Sequence, residues 1–222
     1  MIEQNSESRD GAVRARLSGS ALDVAPWLLG ALLTHRADDG ATGSEQEVTV
    51  RITEVEAYLG ADDPGSHAFR GPTARNATMF GPAGHLYVYF TCGMHYCANV
   101  VCGTEGWATG LLLRAGEIVE GTDTARVRRA HPASDLDLAR GPARLAQALG
   151  LDRRHDGANV LASPFRLVLP DRPPTDVGQG PRVGVSGAGG TAEYPWRFWL
   201  PGDPSVSRYR PAKPRADRKV DP

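Results

Sequence analysis

Residues 51–99, RITEVEAYLGADDPGSHAFRGPTARNATMFGPAGHLYVYFTCGMHYCAN, concentrate side chains able to run hydrolytic chemistry. They supply carboxylates at Glu54 and Glu56, a histidine at His67, tyrosines at Tyr58, Tyr87 and Tyr89, and an amide at Asn99. Alternation predicts a strand from Val48 to Tyr58, with Val48, Val50 and Ile52 on one face and Glu54, Glu56 and Tyr58 continuing it. Burial favours the neutral form of a carboxylate, whereas a nearby cation keeps it ionised. A carboxylate at the end of an apolar row is therefore either a structural ion-pair partner, to Arg114 or Arg51, or a prepared general base. The other side chains also have two readings. His67 is a pocket ligand or a loop histidine capping backbone groups, and Tyr87 with Tyr89 is a binding wall or core packing. Asn99 is a recognition amide or a buried one satisfied by backbone, and Arg75 and Asn76 reach a phosphate or pin their loop.

Several chemistries are disfavoured by what the chain lacks. There is no GxxxxGK[ST] phosphate loop, no GxGxxG, no HExxH and no GxSxG, since GVSGA at 184–188 misses its final glycine. Nucleotide-driven catalysis, a zinc protease and an ordinary serine hydrolase are accordingly not expected. The three cysteines, Cys92, Cys97 and Cys102, lack CxxC spacing and read as small buried hydrophobes of a reducing compartment rather than as a zinc set with His95. No cofactor and no metal are expected. The N-terminal segment has no signal-peptide pattern and no stretch has the length of a membrane span, which predicts a cytoplasmic protein, associated with the nucleoid if bacterial.

The net charge of -1 hides an asymmetry: residues 1–65 carry twelve acids against five bases, and the remainder fourteen acids against twenty bases. All but Lys213 and Lys219 of those later bases are arginine, whose planar fork suits phosphate, although a coding bias toward arginine would look the same.

A chain of 222 residues with 41% hydrophobic content supports one large domain. Residues 1–18 read as a disordered lead, 19–209 as the domain, and 210–222 as a basic, proline-broken mobile tail. SALDVAPWLLGALLTH reads as a helix with Asp23 as N-cap. Residues 59–76 form a long Gly/Pro-rich loop of the kind that usually carries function. Strands are predicted over 85–91, 96–102 and 108–115, the last two joined through Gly103 to Gly106, followed by a helix in 117–130. GPARLAQALG at 141–150 is a short structural helix, and FRLVLP and YPWRFWLPG are strands. Strands outnumber helices without regular alternation, so the expected class is α+β, a mainly antiparallel sheet with peripheral helices.

The runs EVEAY, SHAFRGPTARN, MFGPAGHLYVYFTCGMHYCANVV, GLLLRAGE, RGPARLAQALG and PRVGVSGAG, in that order across about residues 20–209, resemble the alkyladenine (3-methyladenine) DNA glycosylases of the mammalian and eubacterial type. The resemblance implies a single compact domain whose curved antiparallel sheet extends a hairpin into the DNA minor groove. It also implies an activity that flips alkylated or deaminated purines (3-methyladenine, 7-methylguanine, hypoxanthine) from duplex DNA and cleaves the N-glycosidic bond in base excision repair. By position, Glu56 matches the general base and Arg114 the arginine beside the attacking water and the backbone phosphate. Tyr58, His67, Tyr87, Tyr89 and Asn99 match the base pocket, Asn99 being the side chain that excludes guanine. Arg75, the hairpin tip Cys92, Gly93 and Met94, and Arg114 are the expected DNA contacts.

One position departs from the family, which places a tyrosine at the tip of the hairpin where this chain has Cys92. Wedge side chains replace stacking worth roughly a few kcal/mol, so cysteine should fill the gap poorly unless Met94 or His95 takes over. The chemistry otherwise suits the residues: an oxocarbenium-like transition state calls for a carboxylate near the sugar, and electron-rich tyrosine rings favour a cationic base. Strand nicking by a glycosylase needs an amine for a Schiff base, and both lysines lie in the tail, so a monofunctional enzyme acting on damaged double-stranded DNA is expected; with no self-association surface indicated by the sequence, a monomer is expected. The alternatives are a non-catalytic damaged-DNA-binding protein of the same fold, and a nucleoside or glycoside hydrolase using Glu54 with Glu56.

Overall fold

The computed structural model describes residues 2–39, 44–91 and 93–212. Its elements run α1 (Ile2–Leu17), α2 (Ala21–Leu28), β1 (Leu32–Asp39), β2 (Ser44–Leu59), β3 (Leu86–Thr91), β4 (His95–Cys102), β5 (Thr109–Glu120), α3 (Thr122–Arg129), α4 (Pro142–Leu149), β6 (Phe165–Val168), β7 (Gly178–Gly180) and β8 (Arg197–Trp199). The strands form one eight-stranded sheet in the order β3-β4-β5-β2-β1-β6, with β8 added to β2 and β7 to β8, and every pairing is antiparallel. The α+β expectation stands. Among the described residues no helix is long and apolar enough to cross a membrane.

Strand alternation gives the sheet two chemically distinct faces. Leu86 and Val88 of β3, Ala98 and Val100 of β4, Leu111 and Leu113 of β5, and Val55 and Ala57 of β2 enter the main core, which the buried sides of α2 and α4 cover. The residues between them point the other way, toward the loops at 60–85 and 181–196. Helices therefore close one face while loops shape the other.

Four expectations need correction. Residues 2–17, read as a disordered lead, are helical, and α1 is tied down at its end: Leu17 is buried in the core and the Arg14 guanidinium donates to the Ala83 carbonyl at 2.6 Å. The helix expected over 20–35 stops at Leu28, because Gly30 takes a left-handed φ of 84° and Leu32 onward pairs with β2; its N-cap is Ser20, whose side chain accepts from Leu22 N, and not Asp23. β5 runs on to Glu120, so the helix expected from 117 begins only at Thr122, after Gly121 at φ 73°. Finally, Glu54, Glu56 and Tyr58 do not continue the face of Val48, Val50 and Ile52. The β2–β5 ladder pairs Ile52 with Gly116, Glu54 with Ala115 and Val55 with Leu113, leaving Thr53 and Arg114 without opposite numbers. This irregularity reverses the parity of β2: Val55 and Ala57 inherit the core, and the carboxylates turn to the loop face.

Of the tail expected over 210–222, residues 213–222 with Lys213 and Lys219 lie outside the described residues. Arg210 is held to the domain, its carbonyl accepting from Gly184 N at 3.0 Å.

Candidate active site

One transverse row of the sheet assembles the site. Register places Tyr87 opposite Asn99, Asn99 opposite Leu112, Leu112 opposite Glu56 and Glu56 opposite Arg197, so five strands contribute one same-face residue each. At strand spacing, Tyr87 and Glu56 stand about 14 Å apart along this row. Tyr58, Tyr89, Cys97 and Arg114 extend the same face, and with His67 from the long loop, Met79 from the short turn after it and 183–186 from a later loop they line a cavity of about 450 Å³. That volume belongs to the size class of small-ligand pockets.

At one end the cavity wall is ionic. Glu56 has no surface open to bulk solvent, yet its carboxylate is well supplied with donors: Tyr58 Oη at 2.9 Å on Oε2, and Val183 N at 2.7 Å with Arg114 Nη1 at 3.3 Å on Oε1. Burial raises its pKa, and Arg114, the Val183 N–H and the Tyr58 hydroxyl pull it back, in that order. Glu54, two residues earlier, is occupied completely. Its Oε1 accepts from Arg114 Nε at 2.9 Å and Arg197 Nε at 2.6 Å, and its Oε2 from Ser207 N at 2.7 Å. Glu54 thus holds Arg114 in place, while only Glu56 of the two reaches the cavity lining.

The opposite wall is aromatic. Tyr87 and Tyr89 stack with centroids 5.4 Å apart, and the His67 ring stands edge-on to Tyr89 at 4.7 Å, its Nδ1 3.3 Å from Tyr87 Oη. Partial burial and then the Arg75 charge lower the pKa of His67, which favours the neutral ring. Asn99 is buried, donates from Nδ2 to the Tyr87 carbonyl at 3.2 Å and is one of the lining residues of the cavity. Asn76 proves to be the pin of the loop: its Oδ1 accepts from Thr73 N, and its Nδ2 donates to the carbonyls of His67 and Gly71. Arg75 is exposed and donates to the Phe90 carbonyl at 3.3 Å, beside the cavity rather than in its lining.

At the hairpin between β3 and β4, Gly93 adopts φ 69° and Met94 is 69% exposed. Cys92 lies outside the described residues. A second cavity, also about 450 Å³, adjoins the first through Arg114 and Val183 and is lined by Arg140, Arg144, Arg208 and Arg210 with Asp137. Pro142 of α4 lines the first cavity and Arg144 the second, so the helix read as structural also borders the site. Among the described residues no group of three or more His, Cys, Asp or Glu is placed to hold a metal ion.

Sequence reasoning missed Asp63, Arg182, Arg197 and Ser207. Arg182 is fully buried and bridges to Asp63 through two contacts of 2.6 Å, with its guanidinium 4.5 Å from the centre of the Tyr58 ring. The one available signal was a single arginine inside the glycine-rich run PRVGVSGAGG.

Comparison with known proteins gives the family. Residues 15–204 match the family model described as Methylpurine-DNA glycosylase (MPG). A protein of Leifsonia xyli subsp. xyli is 57% identical over 196 residues, covering 86% of this chain and 89% of its own. One of Streptomyces avermitilis is 54% identical over 201 residues, with 89% and 91% covered. One of Nocardia farcinica is 51% identical over 185 residues, with 80% and 85% covered. All three carry the name "Putative 3-methyladenine DNA glycosylase". The chain belongs to the methylpurine-DNA glycosylase family, enzymes that hydrolyse N-glycosyl bonds in damaged DNA.

Proposed function

We propose that this protein everts an alkylated purine from duplex DNA into the aromatic cavity and hydrolyses its bond to deoxyribose, with Glu56 as general base. The observation that carries the reading is the transverse row, which sets a ring-stacking wall and a buried carboxylate on one face of one sheet. In the reaction, Glu56 accepts a proton from water as the water oxygen bonds to the anomeric carbon. The N-glycosidic bond breaks with its electron pair going to the base. Positive charge developing on the sugar is stabilised by the same carboxylate, and Arg114, fixed by Glu54, holds Glu56 and the flanking phosphate in place.

The substrate class follows from the lining. N3- or N7-alkylated purines are already cationic, leave as neutral bases and gain from stacking on Tyr87 and Tyr89. A neutral base such as hypoxanthine needs protonation to leave, and Glu56 is the one carboxyl among the described lining residues. The enzyme therefore favours 3-methyladenine and 7-methylguanine over hypoxanthine. The arginines of the second cavity and Arg75 suit the phosphodiester backbone, and the exposed Met94 suits the minor groove. Lys213 and Lys219 are the two lysines of the sequence, and no amine stands among the described lining residues to form a Schiff base, so the product is an intact abasic strand.

The test uses duplexes carrying a single 3-methyladenine, 7-methylguanine or hypoxanthine, with the released base identified by mass and strand breaks scored with and without alkali. Release of the two cationic bases ahead of hypoxanthine, with breaks only after alkali, is expected. Tight lesion binding without release would favour a damage-binding protein instead, and breaks without alkali would contradict the monofunctional mechanism.

A further inference from the structure

We infer that Asp63 and Arg182 are a positioning pair for this reaction: they hold the Val183 N–H and the Tyr58 hydroxyl against the two oxygens of Glu56 and so keep that buried carboxylate in its proton-accepting form. The inference rests on the proposed role of Glu56.

All five N–H groups of Arg182 are directed. Nη1 donates to Asp63 Oδ2 at 2.6 Å and to the Ala57 carbonyl at 2.9 Å. Nη2 donates to Asp63 Oδ1 at 2.6 Å and to the Gly189 carbonyl at 2.7 Å, which Nε also approaches at 3.3 Å. A guanidinium with no spare donor has one orientation. Its surroundings are moulded to it: a Cβ on Gly65 would fall 2.5 Å from Nη2, and one on Gly189 would fall 3.0 Å from it. Asp63 is equally engaged, accepting from Leu59 N at 3.2 Å and Gly65 N at 2.8 Å, which fixes the start of the loop that bears His67.

Arg182 reaches the surroundings of Glu56 in three ways. Ala57, whose carbonyl Arg182 holds, sits between Glu56 and Tyr58 on β2. Val183, which follows Arg182 directly, supplies the N–H on Glu56 Oε1, and the Arg182 cation lies over the ring of the tyrosine that donates to Oε2. A cation over a phenol ring favours donation by its hydroxyl, because it stabilises the electron density left on the oxygen. A buried ion pair by itself adds little net stability, so this placement is what gives the pair a consequence.

The groups that set the charge of Glu56 come from every neighbouring element. Its own strand supplies Glu54 and Tyr58, β5 supplies Arg114, and the segment before β8 supplies Arg182, while β8 acts through Arg197 on Glu54. Tyr89 and His67 face it across the cavity. Loosening the Asp63–Arg182 pair withdraws two of the donors that offset burial, whereas Arg114 stays bound to Glu54.

The test is the pH dependence of single-turnover 3-methyladenine release for wild type, Arg182→Lys and Asp63→Asn, normalised at each pH to the folded fraction seen by circular dichroism. That normalisation lets a destabilised variant still report where its acid limb lies, and Arg182→Lys, which keeps a cation opposite Asp63, is the milder of the two. In both variants the limb should move up by about one pH unit, a tenfold loss of rate below it that is regained at higher pH, with lesion binding retained. A limb that stays at the wild-type position, whatever the amplitude, overturns the inference. Failure of the Glu56 reading looks different: the wild-type profile itself would lack an acid limb, or Glu56→Gln would keep it.

Discussion

On the β2–β5 side of the cavity, Glu54, Glu56, Arg114 and Arg197 are buried and joined by contacts of 2.6 to 3.3 Å. On the β3–β4 side, Tyr87, Tyr89 and His67 meet through ring faces and edges at 4.7 to 6.2 Å, with one hydrogen-bond contact between His67 and Tyr87. The same sheet face therefore carries a wall whose side chains are joined by directional, charge-assisted bonds and a wall built mainly of ring contacts. Locking suits a group that must meet a transition state to within a fraction of an ångström. Ring contacts suit recognition of a class of flat ligands by stacking rather than by a unique donor pattern.

The contrast is broken most severely at Glu56. Glu56→Gln keeps the shape of the ionic wall and removes the proton acceptor, so single-turnover release of 3-methyladenine should fall roughly 10³-fold while lesion binding persists. Release at the wild-type rate would reassign the chemistry. Arg114→Met strips a cation from two buried carboxylates and should cost about 3 kcal/mol of stability, read from urea unfolding, as well as activity. A variant as stable as wild type would mean that Arg197 and Ser207 carry Glu54 without it. On the aromatic wall, Tyr89→Ala should leave folding nearly intact and reduce the preference for 3-methyladenine over hypoxanthine about tenfold, measured as the ratio of release rates. An unchanged ratio would show that stacking does not select the cation.

The mildest prediction concerns a histidine far from both walls. His35 of β1 is buried, donates from Nδ1 to the Leu149 carbonyl at 2.7 Å and stacks on Phe165 at 4.4 Å. Burial, the largest influence, lowers its pKa from 6.5 to about 4. Between those values the unfolded chain binds a proton that the folded chain refuses, so stability is full above pH 6.5 and declines as pH falls toward 4. Urea midpoints across that window should decline less steeply in His35→Leu. A slope equal to that of wild type would assign the acid sensitivity to other groups.

The aromatic wall was legible in the sequence because it is local: Tyr87, Tyr89 and Asn99 lie on one hairpin whose alternation sets their common face. The ionic wall was half legible. Glu56 and Arg114 came with their motifs, but the parity of β2 depends on Thr53 and Arg114 dropping out of the ladder, and strict alternation carried through Thr53 puts the carboxylates among the core residues. Arg182 and Asp63 were invisible, since they meet across 119 positions and neither neighbourhood hints at the other. The misread stretch near 30–39 shows a different conflict. Trp27, Leu28, Ala31 and Leu32 fit a helical stripe, and the glycine between them, at a left-handed φ, was the stop signal that periodicity outweighed. The polar sequence of α1 offers no apolar stripe, and its anchoring through Arg14 and Leu17 emerges only from tertiary contact.

The most direct test of the account is the rate of 3-methyladenine release by the wild-type enzyme in single turnover from about pH 4 to pH 9. Because burial moves Glu56 above the ordinary carboxylate range and only its ionised form accepts the proton of water, the rate should rise with pH along a single-proton limb lying above that range. The residual activity of Glu56→Gln should show no such limb. A flat wild-type profile, or an identical limb in the variant, would contradict the claim that Glu56 activates the attacking water.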